Sequence, residues 1–189
     1  MLAYTDIRIG ELVSLKWQDI DFEAYTIKIN KTYYNPNNNT RNCLLVTPKT
    51  KSSRRTVVID QLVVDALLEH KVQQEQLIQQ LGADYTNKQF IFTNTNRYPG
   101  YPIVVKVVQL RMAHLLKLCN LNINLTPHSL RHTHTSLLAE AGVSLEQIME
   151  RLGHIDDQTT KNIYLHITKE MKKEASHKFA QLMRRFDSW

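Results

Sequence analysis

Between Thr126 and Gly153 the chain marks its own helix boundaries, and these marks fix where its most reactive side chains must stand. Thr126 is a capping residue, and Pro127 suits the first helical position, where the missing N–H costs nothing. The helix they open should stop at Gly142. Ser144-Leu145-Glu146-Gln147 matches a capping box that starts a second helix, and Gly153 ends it after Leu152. On the first helix His128 and Arg131 stand at i and i+3, so their side chains share a face. His154 falls just past the second helix. Tyr164 follows ten residues later in QTTKNIYLHI, read as a short helix, and Lys169 to Phe186 is read as a last, basic one.

The remainder supplies a small sheet and more helix. Apolar spacing from Leu2 to about Leu15 predicts one helix that carries Arg8, with Glu11 one turn on. An Arg beside a buried stripe must be paired or hold an anion, and an Arg8–Glu11 surface pair is the simplest form of the first. Helical spacing already at residue 2, with no capping residue before it, is what a fragment beginning inside a helix would show.

Tyr25 to Asn30 alternates as a strand, and KTYYNPNNNTRN reads as a polar loop. CLLVTPKTKSSRRTVVID reads as a hairpin with Lys49, Lys51, Arg54 and Arg55 near its tip. Such a cluster can guard a sheet edge or meet DNA; a Lys on a rigid hairpin can also be an acid, because burial shifts its pKa readily. Gln61 to Leu81 is strongly helical and stops at Gly82, and Ile103 to Leu118 is helical again.

Charge and cysteine usage narrow the class. Twenty-four Lys and Arg against 18 Asp and Glu give a net charge of +6 across 189 residues, a balance that favours a polyanionic partner without naming it. The two cysteines, Cys43 and Cys119, make neither a disulfide framework nor a zinc pattern, which fits a reducing intracellular setting. No apolar run reaches the ~18 residues needed to span a bilayer, so a cytoplasmic protein is expected.

Metal-free cleavage of a phosphodiester needs the groups found here. Two guanidiniums can grip the non-bridging oxygens, His or Lys can move protons, and a Tyr hydroxyl can attack to form a phosphotyrosine that keeps the bond's energy for rejoining. No acidic cluster of the Mg²⁺-holding kind and no HExxH spacing occurs. His128, His132 and His134 could form a metal trio, although His132 at i+4 from His128 reads more simply as a packed neighbour.

Taken singly, each motif is weak; their order discriminates. YTDIRIGELVSLKWQDID, TPKTKSSRRTVVI, TPHSLRHTHTSLLAEAGVSLEQIMERLGH and TTKNIYLHI follow one another from residue 4 to 167. This succession resembles the catalytic domain of the tyrosine recombinase, or phage integrase, family, most closely the integrases of prophages and conjugative transposons of low-GC Gram-positive bacteria. The resemblance implies a mainly α (α+β) fold, a helical domain with a small three-stranded antiparallel sheet. It implies that residues 1–189 are a single catalytic domain without the arm-binding and core-binding domains of such integrases.

By the same resemblance, Arg8 and Arg131 bind the scissile phosphate and Glu11 buttresses Arg8. Lys49 is the hairpin acid, with Lys51 as the alternative; His128 and His154 assist proton transfer; Tyr164 attacks. Lys51, Arg54 and Arg55 are assigned to DNA contact. Neither metal nor cofactor is implied. The expected partners are double-stranded attachment-site DNA, other protomers in a tetramer on that DNA, and an excision accessory protein, in a bacterial, nucleoid-associated setting. One departure stands out: family members usually have Gly where Asp6 stands. A non-catalytic DNA-binding module, a type IB topoisomerase and a metal-dependent nuclease are the competing readings.

Overall fold

The computed structural model describes residues 1–48, 50, 53–153 and 157–186, so Lys49, Lys51 and His154 lie outside the described residues. The predicted first helix is two. α1 (Leu2–Thr5) ends at Asp6, whose backbone is left-handed at φ 56°, and α2 (Ile9–Ser14) starts after Arg8. The apolar spacing runs through this break because Ile7 is buried from within the turn itself. Arg8 thereby becomes the residue that caps α2, with its N–H donated to Glu11 Oε2 at 2.8 Å.

Strands β1 (Ile20–Asp21), β2 (Thr26–Ile29) and β5 (Arg55–Val58) form a three-stranded antiparallel sheet in the order β1-β2-β5. Strands β3 (Thr32–Tyr34) and β4 (Leu44–Val46) pair as a separate two-stranded ribbon. The fold class is as expected, but the predicted hairpin is not: β4 and β5 flank the basic turn and pair with β3 and β2 instead of each other. β3 falls inside the segment read as a loop. Its Tyr33 is buried and its hydroxyl accepts from Asn35 Nδ2 at 2.6 Å, which ties the Asn-rich turn back to the strand.

α3 (Gln61–Leu81) covers the sheet, with Asp60 Oδ1 accepting from the Leu62 N–H and Gly82 closing the helix as the sequence predicts. Ile7, Leu12, Ile27, Val57, Val63 and Ile91 belong to the core between α2, the sheet and α3. α4 (Val105–Leu118) leads to α5 (Pro127–Glu140), α6 (Leu145–Leu152) and α7 (Gln158–Phe186). A second, smaller core of Ala139, Ile148 and Leu152 joins these last three helices, with Leu138, Tyr164 and Ile167 against it. The predicted division between a short Tyr-bearing helix and a basic helix is absent; α7 is continuous, since no Gly or Pro interrupts it after Gln158. No helix among the described residues is long and apolar enough to cross a membrane.

Candidate active site

The end of α1, the start of α2, α5, α6 and the first turn of α7 meet at one point. α1 and α7 both pack on α5, which sets the short first helix beside the His- and Arg-bearing one. Arg8, His128, Arg131, His132, Thr135, Leu152, Asp157, Thr159 and Thr160 line a cavity of about 200 Å³ there. Residues more than 120 positions apart in sequence, Arg8 and Arg131 among them, thus face one small polar space.

Arg131 enters this space from the interior. It is 4% exposed, donates Nη1 to the carbonyl of Asp6 and Nη2 to the carbonyl of Leu152 at 2.6 Å. Both acceptors lie at helix ends: Asp6 just after α1, Leu152 as the last residue of α6. Burial, together with the nearby Arg8 and Arg55 cations, lowers the Arg131 pKa to about 10, so it remains charged at neutral pH while its charge is disfavoured. An anion in the cavity relieves that repulsion.

Glu11 is the counter-ion of the cluster. It is 2% exposed, takes Arg55 Nη1 and Nη2 at 3.1 and 3.0 Å in a two-pronged pair, and takes Arg8 Nη1 at 3.1 Å. Burial alone would raise its pKa, but the Arg55 and Arg8 interactions outweigh that and hold the carboxyl below its usual range. The expected Arg8–Glu11 pair is present, but only half of it is at the surface.

Arg55 departs from its expected role. Its side chain is only 6% exposed, and Nε donates to the Arg151 carbonyl at 2.7 Å, so it joins β5 to α2 and α6 instead of pointing from a hairpin tip toward DNA. The signal was available: Arg55 and Val57 are two apart on β5, and Val57 faces the core. Arg54, one residue earlier and on the opposite face, is exposed and lines a broad groove between β5 and α6.

His128 has its pKa pushed down by partial burial and by His132, Arg131 and Arg8, against the pull of Asp157. Its ring stands edge-on to His132 with centroids 4.5 Å apart, so His132 is the packed neighbour expected. His134 faces the other way, toward Ala3 and Asp6, and the three histidines do not converge. Among the described residues no group of three or more His, Cys, Asp or Glu is arranged to hold a metal.

Tyr164 is half-buried against the small second core and does not line the cavity. Thr160, four residues earlier on the same face of α7, does; one helical turn, about 6 Å along the axis, separates them. Asp157 Oδ2 accepts from Thr160 N–H and Oγ1 at 3.0 and 2.5 Å, which fixes the start of this helix beside the cavity. Asp157, Thr160 and Arg151 carry no motif in the sequence beyond the helix-cap spacing of Asp157 three residues before Thr160.

The model of the phage integrase family matches residues 1–171. The chain belongs to that family. It is 35% identical over 181 residues to the integrase of Staphylococcus phage L54a, covering 96% of this chain and 50% of that protein. It is 31% identical over 184 residues to the ICEBs1 integrase of Bacillus subtilis (strain 168), covering 95% of this chain and 46% of that one. The chain therefore spans about half the length of these curated relatives.

Among solved structures, the Tn1549 transposon integrase in complex with transposon right end DNA superposes with a TM-score of 0.75 at 25% identity, over 95% of this chain and 56% of that one. The XerA recombinase superposes at 0.66 and 25% identity, over 92% and 55%. The fold is that of tyrosine recombinase catalytic domains.

Proposed function

We propose that this chain is the catalytic domain of a site-specific DNA recombinase, an integrase that cleaves and rejoins strands through a 3′-phosphotyrosine. The observation that carries the reading is the convergence of Arg8, His128 and Arg131 on one cavity, with the Tyr164 helix forming part of its wall. Arg8 and Arg131 bind the non-bridging oxygens, and their mutual repulsion is relieved as negative charge grows on the phosphoryl group. His128, held toward its neutral form, accepts the proton that the Tyr164 hydroxyl loses as it attacks. The Tyr164 hydroxyl attacks phosphorus after its turn of α7 shifts by about a helical turn toward the cavity. Lys49 protonates the departing 5′ oxygen, and His154 completes the phosphate's hydrogen bonds.

The substrate is double-stranded attachment-site DNA, bound largely through phosphates and so weakened by salt. Longer protomers containing this domain pair two such sites as a tetramer, with an accessory protein acting in excision, in the bacterial cytoplasm beside the nucleoid.

The test uses a duplex that spans a junction of the mobile element and carries a nick near the crossover, incubated with the protein in EDTA. A covalent protein–DNA band on a denaturing gel, lost in Tyr164→Phe, is expected. Absence of that band with junction DNA overturns the reading; strand breaks that appear only with added Mg²⁺ replace it with a nuclease.

A further inference from the structure

Asp6 occupies the left-handed turn between α1 and α2, where the family resemblance leads one to expect Gly, and it is wholly buried. Its carbonyl is one of the acceptors that hold Arg131. Its carboxylate lies 3.1 Å from His134 Nε2 and 3.7 Å from Arg151 Nε. Both carboxylate oxygens, His134 Nε2 and Arg151 Nε are buried without an aligned hydrogen-bond partner among the described residues. A close ionic contact without a fixed hydrogen bond, directly behind the phosphate-facing Arg131, asks for an explanation.

Proton counting supplies one. His134 Nδ1 is 2.9 Å from the Ala3 carbonyl, an oxygen that can only accept, so Nδ1 carries a hydrogen. A neutral His134 then presents a lone pair at Nε2 to an Asp6 oxygen 3.1 Å away, which repels an ionised carboxylate. One further proton, on Nε2 or on the carboxyl, turns that repulsion into attraction. Burial pushes the Asp6 carboxyl up from its usual range, against the pull of His134, Arg131, Arg151 and Arg55. These four are the ionisable groups that face it from α5, α6 and β5 among the described residues.

The rest of the cluster transmits the pair's state. Arg151 donates to the Tyr4 carbonyl at 3.2 Å and the Val58 carbonyl at 3.0 Å, which binds α6 to α1 and β5. Its own carbonyl takes Arg55, the partner of Glu11. The turn at Asp6 therefore sits where α1, α5, α6 and β5 are tied together.

We propose that the Asp6 carboxyl holds a proton shared in a hydrogen bond with His134 Nε2, and that this contact fixes the Asp6 turn so that its carbonyl positions Arg131 for the phosphate. Asp6 and His134 are positioning residues that never touch the substrate. The effect on strand cleavage rests on the recombinase reading, whereas the shared proton does not.

Asp6→Asn discriminates, since an amide N–H can donate to neutral His134 with no titratable proton, and Asn, like Asp, is among the non-Gly residues that adopt the left-handed backbone. Thermal unfolding from pH 5 to 9 is the first measurement. The folded carboxyl keeps its proton to higher pH than the unfolded one, at about 3.9. The stabilisation is therefore complete below that value and is lost as pH rises through the folded one. The unfolding midpoint of wild type should fall relative to Asp6→Asn as pH rises. A constant gap across the range overturns the shared proton. If Asp6→Asn fails to fold, Asp6→Gly, which keeps the turn without the carboxyl, takes its place in the same comparison.

The second measurement is the rate of covalent complex formation on the nicked junction duplex, at saturating DNA and with DNA affinity recorded separately. Wild type should lose rate with rising pH, approaching tenfold per pH unit, with affinity little changed. Asp6→Asn should flatten that limb. Parallel profiles in the two proteins, or a loss confined to affinity, overturn the positioning role. If wild type forms no covalent complex at any pH, the recombinase reading fails, while the unfolding measurement still decides whether the proton is shared.

Discussion

Replacing Glu11 with Ala should be among the most damaging single changes in this domain, because it removes the only carboxylate that the buried Arg55 pairs with among the described contacts. The lost partners are four: Arg55 Nη1 and Nη2, Arg8 Nη1 and the Arg8 N–H. Breaking a buried ion pair from one side typically costs about 3–5 kcal/mol, since the remaining charge stays buried. For a domain of this size each kcal/mol moves the thermal midpoint by about 2–4 °C, so a fall of about 6–20 °C is expected.

The assay is urea unfolding at pH 7 for wild type, Glu11→Ala and Glu11→Leu combined with Arg55→Met. The double variant should recover much of the loss by removing both charges. Acid titration adds a sign. The folded Glu11 pKa lies below its unfolded value of about 4.3, so its stabilisation is present above that pH and is lost as pH falls through the folded value. Glu11→Gln should lack this acid-dependent part. A loss under about 1 kcal/mol in Glu11→Ala, or a double variant no better than the single, refutes the buried-charge reasoning.

Two further outcomes follow from the same contacts. Arg131→Lys keeps the charge but cannot reach the Asp6 and Leu152 carbonyls together, so covalent complex formation should drop by about 10²-fold or more with modest loss of fold, read by single-turnover gels and circular dichroism. Gly100→Ala should cost about 2–5 kcal/mol in chemical unfolding, because φ there is +85° and a Cβ would come within 2.3 Å of the Thr86 carbonyl oxygen.

The sequence discloses those parts of the fold that side chains announce. Gly82 closes α3, Ser144 Oγ caps α6 at the Gln147 N–H, and Gly153 adopts the left-handed conformation that ends it. His128 and Arg131 share a face because the start of α5 was fixed by Thr126 and Pro127. The break at Asp6 escaped because Ile7 continues the apolar stripe through a turn, so periodicity alone cannot tell a helix from two short helices joined at a left-handed residue. β3 escaped because three residues are too few to show alternation, and the ribbon it makes with β4 depends on pairing across an Asn-rich turn.

What the sequence leaves silent in the site has one physical character. Arg131 is held by the carbonyls of Asp6 and Leu152, Arg55 by that of Arg151, Arg151 by those of Tyr4 and Val58, and His134 by that of Ala3. Every residue has a carbonyl, so no residue type marks these acceptors; the ends of α1, α6 and β5 aim them inward. The donors of the site are legible, and the platform that orients them is a property of chain path. Asp6 stands where the two meet, since its carbonyl serves the platform and its carboxyl faces His134 and Arg151 behind it. A carboxyl at such a point is therefore better placed to tune the guanidiniums than to weaken the phosphate's field from within the cavity.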